Sequence, residues 1–426
     1  MLRLSTKEVD CWQTIQERLK RSDADHEIAS TVLHILATVK EKGDGALLEY
    51  VRRFENWHPQ DMRDLLVSKE DMAKAWNGLG GHLKEALQEA AERIRSHHER
   101  QKQHCWIYEN DIGRLGELVR PLARVGIYCP GGRAAYPSSV LMNAIPANVA
   151  GVAEIIMVSP SQNGIVNPTV LAAAHLAGVD CIYKMGGAHA IAALAYGTET
   201  IAKVDKITGP GNAYVAEAKR QVFGEVGIDM IAGPSEVVII ADASANPSWL
   251  AFDLMAQAEH DPLARAILLS PEKSVIEAVE KEIQSSIQDE PRSMVIAAAL
   301  ADFGLLIETA NLEEAFNLAN RLAPEHLELA LDEPEQWLEA VQAAGAVFLG
   351  HYSAEVFGDY CAGTNHVLPT GFSARFSSPL SVHDFQKRIS LLHLTREGAT
   401  KLAPIAHCLA SEEGLFAHAR AANARQ

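Results

Sequence analysis

The sequence predicts an α/β protein built as two Rossmann-like parallel α/β domains with helical N- and C-terminal extensions. Three observations support this fold class. From Arg124 onward, short β-branched runs alternate with helical segments, about 20–30 residues from strand to strand. Glycines gather where those strands would end, at Gly131-Gly132, Gly186-Gly187, Gly209-Pro210-Gly211 and Gly233. A chain of 426 residues, 48% hydrophobic, suffices for more than one buried core.

In chain order, residues 1–24 read as an N-terminal extension. Residues 26–104 read as helices, because Ala29, Val32, Leu33, Leu36 and Val39 recur at helical spacing, with one short strand near Asp64–Val67. The predicted strands that follow are Val125–Cys129, Glu154–Val158, Cys181–Met185, Asp205–Thr208 and Glu236–Ala241. Predicted helices at Ser138–Ala150, Pro168–Ala177, Ala188–Ala195 and Ala213–Val222 fill the gaps between them. A second alternating stretch, 245–350, adds strands at Ala266–Leu269, Leu305–Glu308 and Ala344–Leu349. This reading groups 25–126 with 241–380 as a first, discontinuous α/β domain. It makes 127–240 a second, cofactor-binding domain and 381–426 a polar helical tail.

Composition narrows the function classes. Lys and Arg number 38 against 55 Asp and Glu, a formal charge of −17. No basic run with interleaved aromatics breaks that acidity, which argues against nucleic acid as a partner. Cys11, Cys105, Cys129, Cys181, Cys361 and Cys408 are scattered without a CxxC pair, as suits a reducing compartment. The first residues carry no apolar signal core, and every apolar run is interrupted by Gly, Pro or charge. The expectation is a cytoplasmic protein with no membrane partner.

Ligands of open α/β sheets bind beyond the carboxyl ends of the strands, where the glycines sit. The segment Gly209-Pro-Gly211-Asn212-Ala-Tyr214 comes nearest to a dinucleotide fingerprint, with Tyr in place of the third Gly. Tight βα turns alone would explain one such segment. Four glycine-bearing strand ends together favour a nucleotide bound in a non-standard way.

Gln257 and His260, three residues apart at the end of an apolar helical run, can share one helix face and point at one atom. They would be half of a tetrahedral site of N and O donors. Asp359, in a Gly-flanked loop, and His418, in the last helix, are further donors of types that suit zinc or a similar ion. A lone helical His is more often a packed or surface residue, and spacing does not single out these four. Glu325 and His326 follow Pro324, which stops the preceding helix. Adjacent carboxyl and imidazole groups offer two acid–base functions in one place; the same pair also suits a surface helix–strand junction.

Together these segments resemble the histidinol dehydrogenase family. The matching stretches are Val125-Gly-Ile-Tyr128-Cys-Pro-Gly-Gly, Gly186-Gly-Ala-His189-Ala, Gly209-Pro-Gly-Asn212-Ala-Tyr and Ala232-Gly-Pro-Ser235-Glu-Val. They continue through Gln257-Ala-Glu-His260, Pro324-Glu325-His326-Leu, Gly358-Asp359-Tyr and Gly363-Thr-Asn-His366-Val-Leu-Pro, with Glu413 and His418 in the final segment. The resemblance implies a zinc enzyme that oxidises L-histidinol with NAD twice, through the aldehyde, to L-histidine. It implies Gln257, His260, Asp359 and His418 as ligands of one zinc per subunit. His326 would be the general base and Glu325 the activator of water. Ser235, His366 and Glu413 would line the substrate pocket with the zinc ligands and His326, and Tyr128, His189 and Asn212 would meet NAD. Relatives usually carry Gln at 189, and His lacks the amide's paired donor and acceptor.

The resemblance also implies a homodimer whose C-terminal tail crosses to complete the partner's site. A dehydrogenase on the same scaffold that acts on another small alcohol, such as a sulfonated diol, would keep the Glu-His pair and the metal ligands. A zinc hydrolase using Glu325 as base would not need the glycine-lined edge.

Overall fold

The computed structural model describes residues 1–20, 25–131 and 135–425. Gly132 of the first glycine cluster lies outside the described residues. The described residues form two six-stranded sheets and one three-stranded sheet.

The first large sheet is wholly parallel. Its strands run, in spatial order, Leu2–Ser5, Leu305–Glu308, Arg265–Ser270, Glu236–Ala241, His326–Ala330 and Ala346–Leu349. The second runs Leu66–Val67, Cys181–Lys184, Glu154–Ser159, Arg124–Tyr128, Lys206–Thr208 and Gly227–Ile228. Only its edge strand Leu66–Val67 is antiparallel. Both central strands are buried on both faces. Runs such as Val237-Val238-Ile239-Ile240 therefore read as continuous apolar stretches rather than alternating ones. Each fully buried Val, Leu or Ile side chain there contributes about 1.5–3 kcal/mol.

Four departures from the expected organisation have identifiable causes. Residues 2–5 are an edge strand of the first sheet, not a detached extension. The helices Asp25–Phe54, Lys69–Asn77 and Gly81–Glu99 do not cover the sheet that residues 241–380 build. They cover the sheet that contains Arg124–Tyr128, with Val32, Leu36 and Leu47 packed among Ile191 and Leu194, and Met72 and Ile94 beside Ile145 and Val170. Helical periodicity shows that a helix has an apolar face, not which sheet that face meets. Conversely, Glu236–Ala241 lies inside the first sheet although it was grouped with 127–240. The tail is not all helix: Gln386–Leu394 pairs antiparallel with Gly113–Pro121, which pairs with Trp106–Asn110. These strands are mostly exposed, so burial imposes no strong apolar pattern on them.

Candidate active site

The strand His326–Ala330 lies between Glu236–Ala241 and Ala346–Leu349, and its first residue is the site's centre. The preceding helix Leu312–Leu322 stops at Ala323, whose φ of 44° is left-handed, and Pro324 prevents it from continuing. That turn sets Glu325 and His326 at the amino end of the strand, both buried.

His326 is surrounded by acceptors. Its Nδ1 is 3.2 Å from the Glu236 carbonyl oxygen and 3.2 Å from the Gln257 amide. The Glu355 carboxylate lies 3.5 Å from the same nitrogen, and Asp359 Oδ1 lies 3.5 Å from Nε2. Burial alone would lower the imidazole's proton affinity, but Glu355, Glu325 and Asp359 outweigh it and hold its pKa well above the usual value. Nε2 is buried and makes no hydrogen bond of good geometry.

Glu325 accepts a hydrogen bond from Glu236 N–H at 3.0 Å. Burial pushes its carboxyl up to about 8, with His326 pulling the other way. Alternation along a strand would send neighbouring side chains apart. Glu325 precedes the first paired residue, however, and its Oε2 lies 4.0 Å from His326 Nδ1. The two groups share one pocket.

Gln257 lies in the last turn of the helix Pro247–Ala258 and is fully buried. His260 lies one residue beyond the Glu259 cap, held by its N–H to the Gln257 carbonyl at 3.3 Å. The two are therefore joined by the turn that ends the helix, not by a continuous helix face. Asp359 belongs to the short helix Glu355–Tyr360 rather than to a loop. Burial would raise its pKa, but His326, His366 and His260 hold it below the ordinary carboxyl value. His366 Nδ1 donates to the Asp359 carbonyl at 2.8 Å, and its Nε2 is 3.4 Å from Ser139 Oγ. Ser235 immediately precedes the strand Glu236–Ala241, on the wall that also carries the Glu236 carbonyl.

Glu413 and His418 are not in this cluster. Glu413 caps the helix Arg396–Glu412 and His418 lies in Phe416–Asn423, two helices packed on each other. Among the described residues no three His, Cys, Asp or Glu side chains are assembled as a metal cluster.

The glycine-lined edge belongs to the second sheet. Gly209, with φ at 108°, takes a backbone shape that L side chains rarely adopt, and an added Cβ would strike the Tyr128 carbonyl oxygen. Asn212 caps the helix Ala213–Val222 by accepting from Tyr214 N–H and Val215 N–H at 3.0 and 3.1 Å, and it is exposed. Tyr128 and His189 are buried instead. The Tyr128 hydroxyl accepts from Gly187 N–H at 3.1 Å. The His189 ring packs beside Tyr50 and Phe54, and burial pushes its pKa down to about 3, so it is neutral.

Sequence reasoning passed over four residues here. Glu355 faces both His326 and Gln257. Glu55 accepts from Ser161 N–H and Gly186 N–H at 2.9 and 2.6 Å. Lys219 and Asp229 form a buried ion pair against Gly209. A usable signal existed for none of them, since each looks locally like a solvated charge.

A buried, mutually perturbed carboxyl–imidazole pair at the amino end of a strand in one sheet, with glycines at strand ends of the other, is an arrangement typical of functional sites in α/β enzymes. Comparison with known proteins makes the class specific. The histidinol dehydrogenase family profile matches residues 18–426. A histidinol dehydrogenase of Aromatoleum aromaticum is 55% identical over 425 residues, covering 99% of this chain and 97% of its own. One of Chromobacterium violaceum is 53% identical over 427 residues, covering 100% and 98%. The crystal structure of histidinol dehydrogenase from Elizabethkingia anophelis superposes with a TM-score of 0.94 at 36% identity, covering 100% of this chain and 98% of that one. The chain belongs to the histidinol dehydrogenase family and is an oxidoreductase.

Proposed function

We propose that the protein catalyses the four-electron oxidation of L-histidinol to L-histidine through L-histidinaldehyde, the last steps of histidine biosynthesis, with NAD as acceptor and one zinc per subunit. The observation that carries this reading is the buried Glu325–His326 pair with Gln257 and Asp359 gathered around His326.

The residues present fit both groups. Gln257, His260 and Asp359 supply O, N and O donors, a set that suits zinc. His326 above all, with His366 and His260, outweighs burial and holds the Asp359 carboxyl below its ordinary value. His418 would be the fourth ligand, reaching the site from the tail of a second subunit. At the other edge, the bare backbone at Gly209 and the exposed Asn212 would receive the dinucleotide, with Tyr128 and His189 forming the floor beneath it. When bound, zinc would hold the substrate by its imidazole and amine, and NAD would accept the hydride.

The chain's own residues account for the proton chemistry. His326 Nδ1–H donates to the Glu236 carbonyl, which leaves Nε2, 3.5 Å from Asp359 Oδ1, as the basic nitrogen. The surrounding carboxylates stabilise the imidazolium that forms when the ring takes up the alcohol proton. Glu325 keeps one oxygen on Glu236 N–H and has the other for a water. Its raised pKa makes it a useful base near neutral pH, for attack of that water on the aldehyde. Ser235, His366 and Glu413 would line the rest of the substrate pocket.

The dimer reading has support on the surface. Ile389, Leu392, Ile405, Leu409 and Phe416 of the tail that would cross to the partner, and Trp106 and Tyr108 of the three-stranded sheet it joins, are exposed apolar side chains. No helix among the described residues is long and apolar enough to cross a membrane.

The deciding experiment is a steady-state assay of zinc-loaded protein with L-histidinol and NAD. Two NADH per histidinol, abolished by a chelator and restored by zinc, supports the proposal; no turnover refutes it. Mixing inactive His260→Ala and His418→Ala subunits tests the shared site, which requires activity to return in the mixed dimers.

A further inference from the structure

The Gln257 amide faces a choice that its own position does not resolve. An amide presents oxygen at one end of its fork and NH2 at the other. Only the oxygen is a useful donor to a divalent cation. Gln257 is fully buried in the last turn of its helix, so solvent cannot settle the orientation. With the oxygen turned inward, it faces the two Glu355 oxygens, which are acceptors as well. With the two ends exchanged, the NH2 donates to both of them, at 3.1 and 3.1 Å. His326 Nδ1, 3.2 Å from the same end of the amide, suits either orientation, as donor to the oxygen or acceptor from the NH2, so the two Glu355 oxygens decide between them.

We propose that Glu355 is a positioning residue which pins the NH2 of Gln257 and so turns its carbonyl oxygen outward as a metal donor. This rests on the zinc reading above. Glu355 is itself held in place: it is buried, it opens its helix, and its backbone N–H donates to Glu328 Oε1 at 2.7 Å. The same carboxylate lies 3.5 Å from His326 Nδ1. One side chain therefore orders a metal ligand and the base together, the role taken by carboxylates behind ligands in other metal sites. Glu355 needs no contact with substrate or metal to do this.

The test compares zinc dissociation constants of the full-length protein, measured by competition with a chromogenic chelator, for the native chain, Glu355→Ala, Glu355→Gln and Gln257→Ala. Glu355→Ala should weaken zinc binding about 10- to 100-fold. Glu355→Gln keeps one acceptor oxygen and should recover most of that loss, leaving a deficit of about 3- to 10-fold. Glu355→Ala added to Gln257→Ala should weaken binding no further, because the group it orients is gone. The proposal is overturned if Glu355→Ala binds zinc within about 3-fold of the native chain, or if the two Ala substitutions act independently. If Glu355→Ala fails to fold, Glu355→Gln decides alone: a measurable deficit supports the proposal and native affinity overturns it. Native protein that binds no zinc at all would instead overturn the zinc reading, and the same titration shows it.

Discussion

Replacing Lys219 by Met should cost far more than its place on a helix surface would indicate. The Lys219 and Asp229 side chains are 2% and 1% exposed and form an ion pair. Lys219 Nζ also donates to the Gly209 carbonyl at 3.0 Å, while Asp229 Oδ2 accepts from Gly209 N–H at 2.8 Å. The pair thus clamps both polar groups of the glycine whose φ is 108°. Met fills the space of the alkyl stem but leaves Asp229 buried and uncompensated. Removing one partner of such a pair costs about 3–5 kcal/mol, a large share of a typical stability of about 5–15 kcal/mol. Urea unfolding followed by circular dichroism would measure it. The double variant Lys219→Met, Asp229→Asn should regain part of the loss, since no lone charge stays buried. Because the clamp holds the loop that leads to Asn212, the KM for NAD should rise more than kcat falls. A cost below about 1 kcal/mol, the range of an exposed pair, would refute the reasoning.

Glu325→Gln should spare oxidation of the alcohol and slow oxidation of the aldehyde by about 100-fold or more; single-turnover assays with each substrate separate the two steps. Burial pushes His98 down to about 4, with its Nδ1–H on the Ile94 carbonyl at 2.7 Å and Asn365 donating to Nε2 at 3.2 Å. Above the unfolded value of about 6.5 the ring is neutral in both states. Below it the unfolded chain takes up a proton that the folded chain refuses, so stability falls by about 1.4 kcal/mol per pH unit as pH drops towards 4. His98→Asn should flatten that slope in unfolding measurements between pH 6.5 and 4. Among the cysteines, Cys105 is exposed and its thiol is lowered by the Val119 backbone and by Arg120, whereas burial pushes Cys129 up to about 12. Iodoacetamide followed by peptide mass spectrometry should find Cys105 labelled well before Cys129. Equal labelling of the native protein would contradict the burial of Cys129.

Much of the site was legible locally. Pro324 before Glu325-His326 marks the end of one helix, and that turn does place the pair. Gln257 and His260 do lie together, although the helix stops between them. Glu328, a carboxyl in the middle of the strand His326–Ala330, is the one residue whose pattern could have warned of buried charge behind the site. Glu355 had no such mark, since it follows Ser353-Ala354 like any first-turn acid of an exposed helix.

What the sequence determined by itself was eight of the parallel strands between 124 and 349 and the glycines beyond their ends; it did not mark Gly227–Ile228 or His326–Ala330, the strand that carries the site. Apolar runs bounded by turn residues are local patterns, and a strand buried on both faces must be apolar throughout. Tertiary structure alone decided which sheet the helices of 25–99 cover, and that His326–Ala330 lies beside Glu236–Ala241. It also decided that three carboxylates converge on one imidazole. The pairing of strands about 90 residues apart is set by the summed packing of whole layers, and no single residue in either strand records it.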